Sequence, residues 1–283
     1  MSQMLKDIAV FYDVSHSGRR ILEVAARLAE AQSARLIGIT NTEASHAASS
    51  PSDGFARGAA MHEVIDRLQA ASAAHLLQAA QALKDVADHH GVVPEFRVIP
   101  WVESNVGMAL HSLYCDVLVV SHPNAPGAPF AWSAIDVLQQ TGVPLLLVPE
   151  DWNGQQLGQR IVVAWNASRQ ARRAVADALP LLIAAEAVDL LIVDAERKAE
   201  WHGEEPGADM AHYLARHGVA VNLERIDSAD RPVATAILDH ATQMKADLIV
   251  FGVYSRPKIS EVVLGGVSRT LLSEVPLPLF LSH

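Results

Sequence analysis

At 283 residues the chain is long enough for two domains of ordinary size, and its 50% hydrophobic residues supply their cores. A net charge of −10 with histidine neutral repels nucleic-acid backbone and anionic lipid, which argues against either as a partner. The single cysteine, Cys115, excludes an internal disulfide, suits a reducing compartment and reads as an inert packed thiol. The opening MSQMLKDIAVFYD has no apolar stretch followed by a small-residue cleavage site, and runs such as AVDLLIV are far shorter than a bilayer span. A cytoplasmic, membrane-free protein is therefore expected.

In chain order, short Val/Ile/Leu-rich runs alternate with longer stretches of 3.6-residue periodicity. The first half predicts a strand over 8–12, a helix over 17–32 and a strand over 35–40. NTEASHAASSPSDGFARG follows, with the composition of a mobile loop. A long helix over 61–89 leads to a strand over 95–99, a helix over 103–113, a strand over 117–121, a helix over 131–140 and a strand over 144–148. After the short polar link PEDWNGQQLGQR, strands are predicted over 160–165, 189–193, 220–226, 248–252 and 279–281. Helices between them are predicted over 169–184, 209–216, 233–244 and 261–273. Near-continuous apolar strands are those buried on both faces. Five strands and four helices in alternation give a doubly wound parallel sheet in each half.

The two halves are copies. IAVFYDVSHSGRR from Ile8 aligns with IVVAWNASRQARR from Ile161, CDVLVVSHP from Cys115 with ADLIVFGVY from Ala246, and TGVPLLLVPE with VPLPLFLSH. The expected domains are 1–151 and 159–283. Ligands of such sheets bind outside the carboxyl ends of the strands, where strand order reverses. In the second copy Gly252 ends the fourth strand, and Gly265 and Gly266 open the last long helix. Unpaired amides and a partial positive charge at a helix N-terminus attract phosphate, and small residues let it come close. Ser255 and Ser268 add hydroxyls and Arg256 a charge. Asn166, at the end of that copy's first strand, lies beside the same loop, either to hydrogen-bond a base or sugar or to cap the following helix. The plain reading of the glycines, a tight turn at Gly252 and close packing at Gly265 and Gly266, stands beside the ligand reading.

This constellation resembles the universal stress protein family, whose pattern is a strand ending in Asp, then Gly-Ser, and near the end Gly-x-x-Gly, nine residues, and Gly-Ser or Gly-Thr before a helix. Gly252-x-x-Ser255, nine residues and Gly265-Gly266-Val267-Ser268 keep that spacing. The resemblance covers both copies. It implies two tandem doubly wound α/β domains, each a five-stranded parallel sheet of order 3-2-1-4-5 flanked by helices. It also implies a cytoplasmic stress-response regulator, not an enzyme, that binds ATP or AMP, with Mg, in the second domain. Gly252, Ser255, Arg256, Gly265, Gly266, Val267 and Ser268 would then hold phosphates, while Asn166 and the backbone near Ala164 and Val193 would contact base or ribose. Very slow ATP hydrolysis occurs in some members, but no general base can be assigned in this chain. Ser255 stands where the pattern has glycine, Gly266 where it has a hydroxyl and Asn166 where it has an acid. The first copy keeps Asp13 and Ser15, yet no glycine pair follows its fourth strand, and Pro123, Pro126 and Pro129 stiffen the loop. It reads as a degenerate, structural partner.

Other motifs point away from catalysis and metals. His89 and His90 are adjacent, so on a helix their rings are expected to diverge, and His212 and His217 miss the i, i+4 spacing of helical zinc pairs; no metal site is expected. Ser15, Ser17 and Ser168 read as helix N-caps; neither G-x-S-x-G nor G-x-x-x-x-G-K-[ST] occurs, which excludes a Walker-type ATPase. Arg19-Arg20 and Arg172-Arg173 read as solvated helix faces. Trp101, Trp132, Trp152 and Trp201 read as packing or interface residues, with Trp165 placed to stack near a base. A second reading is a nucleotide-free interaction module, its domains paired through their fifth strands, with a protein partner or a homodimer. A third is a small-molecule enzyme on the same sheet.

Overall fold

The computed structural model describes residues 4–42, 59–99, 109–122, 134–152, 154, 156–198, 204–253, 255–257, 262–274 and 277–283. Strand β1 (Asp7–Phe11) sets the pattern, because a period of two sends Ile8 and Val10 to one face and Ala9 and Phe11 to the other. All four are buried, so the strand reads as one apolar run. Nine more strands follow, apolar and largely buried except for the half-exposed outer strands β3 and β8: β2 (Arg35–Asn41), β3 (Pro94–Ile99), β4 (Val117–Ser121), β5 (Leu145–Val148), β6 (Arg160–Ala164), β7 (Ala187–Val193), β8 (Val221–Ile226), β9 (Leu248–Gly252) and β12 (Leu279–Ser282). They form one ten-stranded sheet of order β3-β2-β1-β4-β5-β12-β9-β6-β7-β8. Each half has the expected order 3-2-1-4-5, and every pairing within a half is parallel.

The halves join where β5 and β12 run antiparallel, with Leu145, Leu146 and Leu147 opposite Leu281, Phe280 and Leu279. All six side chains are buried, so the junction is hydrophobic core as well as backbone ladder. One face of the sheet packs against α1 (His16–Gln32), α2 (Ala59–His90), α4 (Arg169–Ala184) and α5 (Ala208–Arg216). The other carries α3 (Ala134–Thr141), α6 (Val233–Met244) and α7 (Gly266–Glu274). The outer strands carry charge that discourages further pairing: Glu95 with Arg97 on β3, and Glu224 with Asn222 on β8. Among the described residues no helix is long and apolar enough to cross a membrane.

The sequence duplication is also a duplication of local devices. Asp116, at the foot of β4, accepts the amides of Lys6 (2.6 Å) and Asp7 (3.0 Å) as β1 begins. Its counterpart Asp247 accepts those of Gly158 and Gln159 (both 2.9 Å) and Arg160 (3.3 Å) as β6 begins. Burial pushes the Asp247 carboxyl above the usual carboxylate range, against the amides of Gln159, Arg160 and Gly158 that hold it down. Ser15 caps α1 through Gly18 N at 3.0 Å, and Ser168 caps α4 through Ala171 N at 3.1 Å.

Several expectations need correction. Ser17 lies inside α1, where its hydroxyl donates to Glu150 at 3.5 Å, because Ser15 already closes the helix start. The last long helix begins at Gly266, not near 261. Residues Val262–Leu264 (β11) instead pair antiparallel with Ser255–Pro257 (β10), since the β-branched run Val262-Val263 finds a ladder partner there. The rings of His89 and His90 do not diverge but meet edge to face, 5.0 Å between centroids, at the end of α2. Nor are the arginine pairs merely solvated: Arg20 donates to the carbonyl of Trp152, and Arg172 lies 4.9 Å over the Tyr213 ring. The loop over 43–58, the start of the helix predicted over 103–113, Pro123, Pro126, Pro129, Trp101, Trp132 and Trp201 lie outside the described residues.

Replacing Asp247 with Ala strands three amides in a partly buried corner. Asp247→Ala is expected to lower unfolding free energy by about 2 kcal/mol in urea titration. Cys115 donates to Ser112 O at 3.1 Å, and burial pushes its thiol up to about 12. At mildly alkaline pH the native protein is expected to react with a disulfide reagent roughly a thousandfold more slowly than the unfolded chain, followed by thiolate release.

Candidate functional site

The switch point of the second half lies between β6 and β9. The chain leaves β6 toward β7 on one side, while β9 pairs on the other. A cavity of about 340 Å³ opens there, at the carboxyl ends of the three strands. Ala164, Trp165 and Asn166 leave β6, Leu191 and Val193 finish β7, and Phe251 and Gly252 finish β9. Val233 and Ile237 of α6 form an apolar wall, and Gly265, Gly266, Val267 and Ser268 at the α7 start complete the lining.

The polar character comes from the helix start. The first bond of α7 runs from Arg269 N to Gly265 O at 3.0 Å, so the amides of Gly266, Val267 and Ser268 precede the helical ladder. A Cβ built on Gly266 would meet nothing within 4 Å, which marks open space at the rim. Gly252 is the opposite case: a Cβ there would lie 2.2 Å from Gln170 C and 2.4 Å from Ala171 N, in the first turn of α4. The glycine at the strand end is thus required by packing of β9 on α4. The glycine at the helix start is required by neither packing nor a positive φ.

Asn166 Oδ1 accepts Ser168 N at 3.2 Å, which fixes the turn into α4 and leaves the side-chain amide as the group it can offer a ligand. The Ser168 hydroxyl oxygen already accepts Ala171 N, so its proton remains to be donated. No charged side chain lines the cavity among the described residues. Its attraction for an anion rests on main-chain amides, the α7 dipole and hydroxyls.

Eight predicted residues therefore converge on one cavity: Ala164, Asn166, Val193, Gly252, Gly265, Gly266, Val267 and Ser268. Ser255 and Arg256 fall on β10, with Ser255 opposite Leu264, so the ribbon returns the chain to Gly265. Their side chains lie outside the described residues. Ser255 thereby takes the backbone of a strand residue. Leu191, Val233, Ile237 and Phe251 were missed, because in sequence they are indistinguishable from core residues. Trp165 also lines the cavity and donates its backbone amide to Leu191 O at 2.9 Å.

The corresponding corner of the first half is built differently. The Asp13 carboxylate accepts both the amide and the hydroxyl of Ser15, and a Cβ on Gly18 would meet Asp13 Oδ1 at 2.1 Å. The acid is folded onto the first turn of α1. The loop that would complete a rim there lies outside the described residues.

Residues 158–283 match the family model described as the Universal stress protein family. No curated protein matches the chain. Among solved structures the chain is similar to a universal stress protein from Archaeoglobus fulgidus DSM 4304, at 17% identity and a TM-score of 0.67, covering 98% of this chain and 97% of that one. It is also similar to a functionally unknown protein from Pseudomonas aeruginosa PAO1, at 14% identity and a TM-score of 0.60, covering 98% and 92%. At these identities the likeness speaks for the fold alone, and it spans both halves. The second half, 158–283, thus belongs to the universal stress protein family, and the same fold is built a second time in the first half.

Proposed function

We propose that the second module, 159–283, binds an adenine nucleotide, ATP or AMP, and that the protein is a cytoplasmic stress-response regulator whose first module, 1–151, is a structural partner. The observation that carries this reading is the joint placement of an apolar slot and an open helix start at one switch point. Leu191, Val193, Val233, Ile237 and Phe251 give the slot walls suited to a flat base, with Trp165 at its edge. The helix start Gly266, Val267 and Ser268 lines one part of the slot, where its amides and the Ser268 hydroxyl would hold phosphate. The cavity volume lies within the range of small-molecule sites. Mg would arrive on the phosphates, since no carboxylate among the described residues lines the cavity. The roles assigned are binding and positioning; no lining group is a general base.

The competing reading, a nucleotide-free interaction module, draws support from the β5–β12 pairing, which is the fifth-strand association it requires. That pairing occupies both fifth strands within one chain, so a homodimer would need another face.

Two measurements separate the readings. Heat-denatured, clarified protein should release AMP, ADP or ATP near stoichiometric amount on anion-exchange chromatography, or apo protein should gain thermal stability with millimolar Mg-ATP. Failure of both supports the interaction reading. Gly266→Asp puts a carboxylate into the open rim without strain and suits the first turn of α7. It is expected to weaken a fluorescent ATP analogue by roughly tenfold or more while leaving the melting temperature unchanged or raised. Unchanged affinity would place the phosphates elsewhere.

A further inference from the structure

Helices α1 and α2 meet, far from this cavity, through a cluster of imidazole and carboxylate groups. Glu23 and Glu30 are two turns apart on α1 and aim at one ring. His90 Nδ1 lies 2.6 Å from Glu30 Oε2, and His90 Nε2 lies 2.8 Å from Glu23 Oε1. The His90 side chain is only 8% exposed, so its ring is held in place. The neighbouring His89 is turned so that one of its ring nitrogens, one of His90 and a Glu23 carboxylate oxygen all lie within 4.8 Å of one another.

We infer that Glu23, His89 and His90 form a binding site for a divalent transition-metal ion of the Zn²⁺ class. Two imidazole nitrogens and one carboxylate oxygen are a donor set such ions accept, with water completing a tetrahedron. Bonds of about 2.1 Å put neighbouring donors about 3.4 Å apart, so the His90–Glu23 contact opens by only roughly half an ångström to admit the ion. Glu30 supplies the outer contact of such sites: it accepts a hydrogen bond from His90 Nδ1–H, fixes the tautomer and leaves Nε2 to the metal. Both histidines lie in the last turn of α2, whose negative pole also favours a cation. An open groove lined by His16, Arg19, Arg20, Ala82, Asp85 and Val86 reaches Glu23. On binding, the ion takes the place of the contact between His90 Nε2 and Glu23 and ties the middle of α1 to the end of α2. The site belongs to the first module and stands independently of the nucleotide proposal.

The test uses tag-free, full-length protein stripped with EDTA and titrated with Co²⁺, read by its visible d–d absorption, and with Zn²⁺, read calorimetrically. One tetrahedral site per chain is expected. His89→Ala, which removes only an exposed ring, should abolish the Co²⁺ bands with the circular dichroism of the native fold retained. Glu30→Gln should keep the site but weaken it by roughly tenfold or more. Absence of a stoichiometric site in the native protein, or an unchanged Co²⁺ spectrum and affinity in both His89→Ala and Glu23→Gln, would overturn the inference.

Discussion

The antiparallel pairing of β5 with β12 is the contact on which the rest of the molecule depends. Parallel strands fill each half, so each half would otherwise end in an exposed, fully apolar strand, the kind of edge that templates aggregation. Joining the two edges removes both, and buries Leu145, Leu146, Leu147, Leu279, Phe280 and Leu281 within cores that run across both modules. The direction of the pairing has a functional consequence. Because β5 and β12 run oppositely, the carboxyl ends of the two parallel halves point to opposite ends of the sheet. Their switch points cannot share a ligand, and each module has to complete its own site. The contact of His122 Nε2 with Leu272 O, 3.1 Å apart, ties the end of β4 to the far part of α7 across that junction.

Duplication followed by divergence explains what the halves share. Devices that hold the scaffold occur in both: a carboxylate at the foot of the fourth strand, a serine cap on the first helix, and an acid or amide that fixes the turn before it. Asp13 and Asn166 do the same backbone work, since a carboxylate and an amide oxygen accept the same N–H. The exchange of acid for amide therefore leaves the turn intact while removing a negative charge from the cavity of the second half. In a chain with a net charge of −10, a cavity without a carboxylate among its described lining residues repels an anion less for that removal.

The two glycines that frame the late loop have separate physical causes. Gly252 is dictated by the backbone of α4, which leaves no room for a Cβ, whereas Gly266 faces open space. A glycine pattern of this kind mixes a packing requirement with an accessible helix start, and only the second concerns a ligand. Ser255 fits for a related reason: once β10 and β11 form a ribbon, its position calls for strand backbone.

Periodicity and repetition in the sequence determined the alternation of strands and helices, the two-module organisation and the address of the cavity, because burial on both faces leaves a continuous apolar run and duplicated devices leave matched residues. The Gly252–Ser268 spacing carried five of the cavity's residues, Gly252, Gly265, Gly266, Val267 and Ser268, since helix starts and strand ends are marked locally. Tertiary structure alone decided the rest. Leu191, Val233, Ile237 and Phe251 become cavity walls only when β7, β9 and α6 converge, and nothing local separates them from core residues. The β10–β11 ribbon needed a partner strand to replace a helix, and His90 takes its direction from Glu23 and Glu30, which reach it only because α1 packs beside the end of α2. Contacts between segments distant in the chain fix side-chain direction, and that direction is what a linear pattern of residues does not contain.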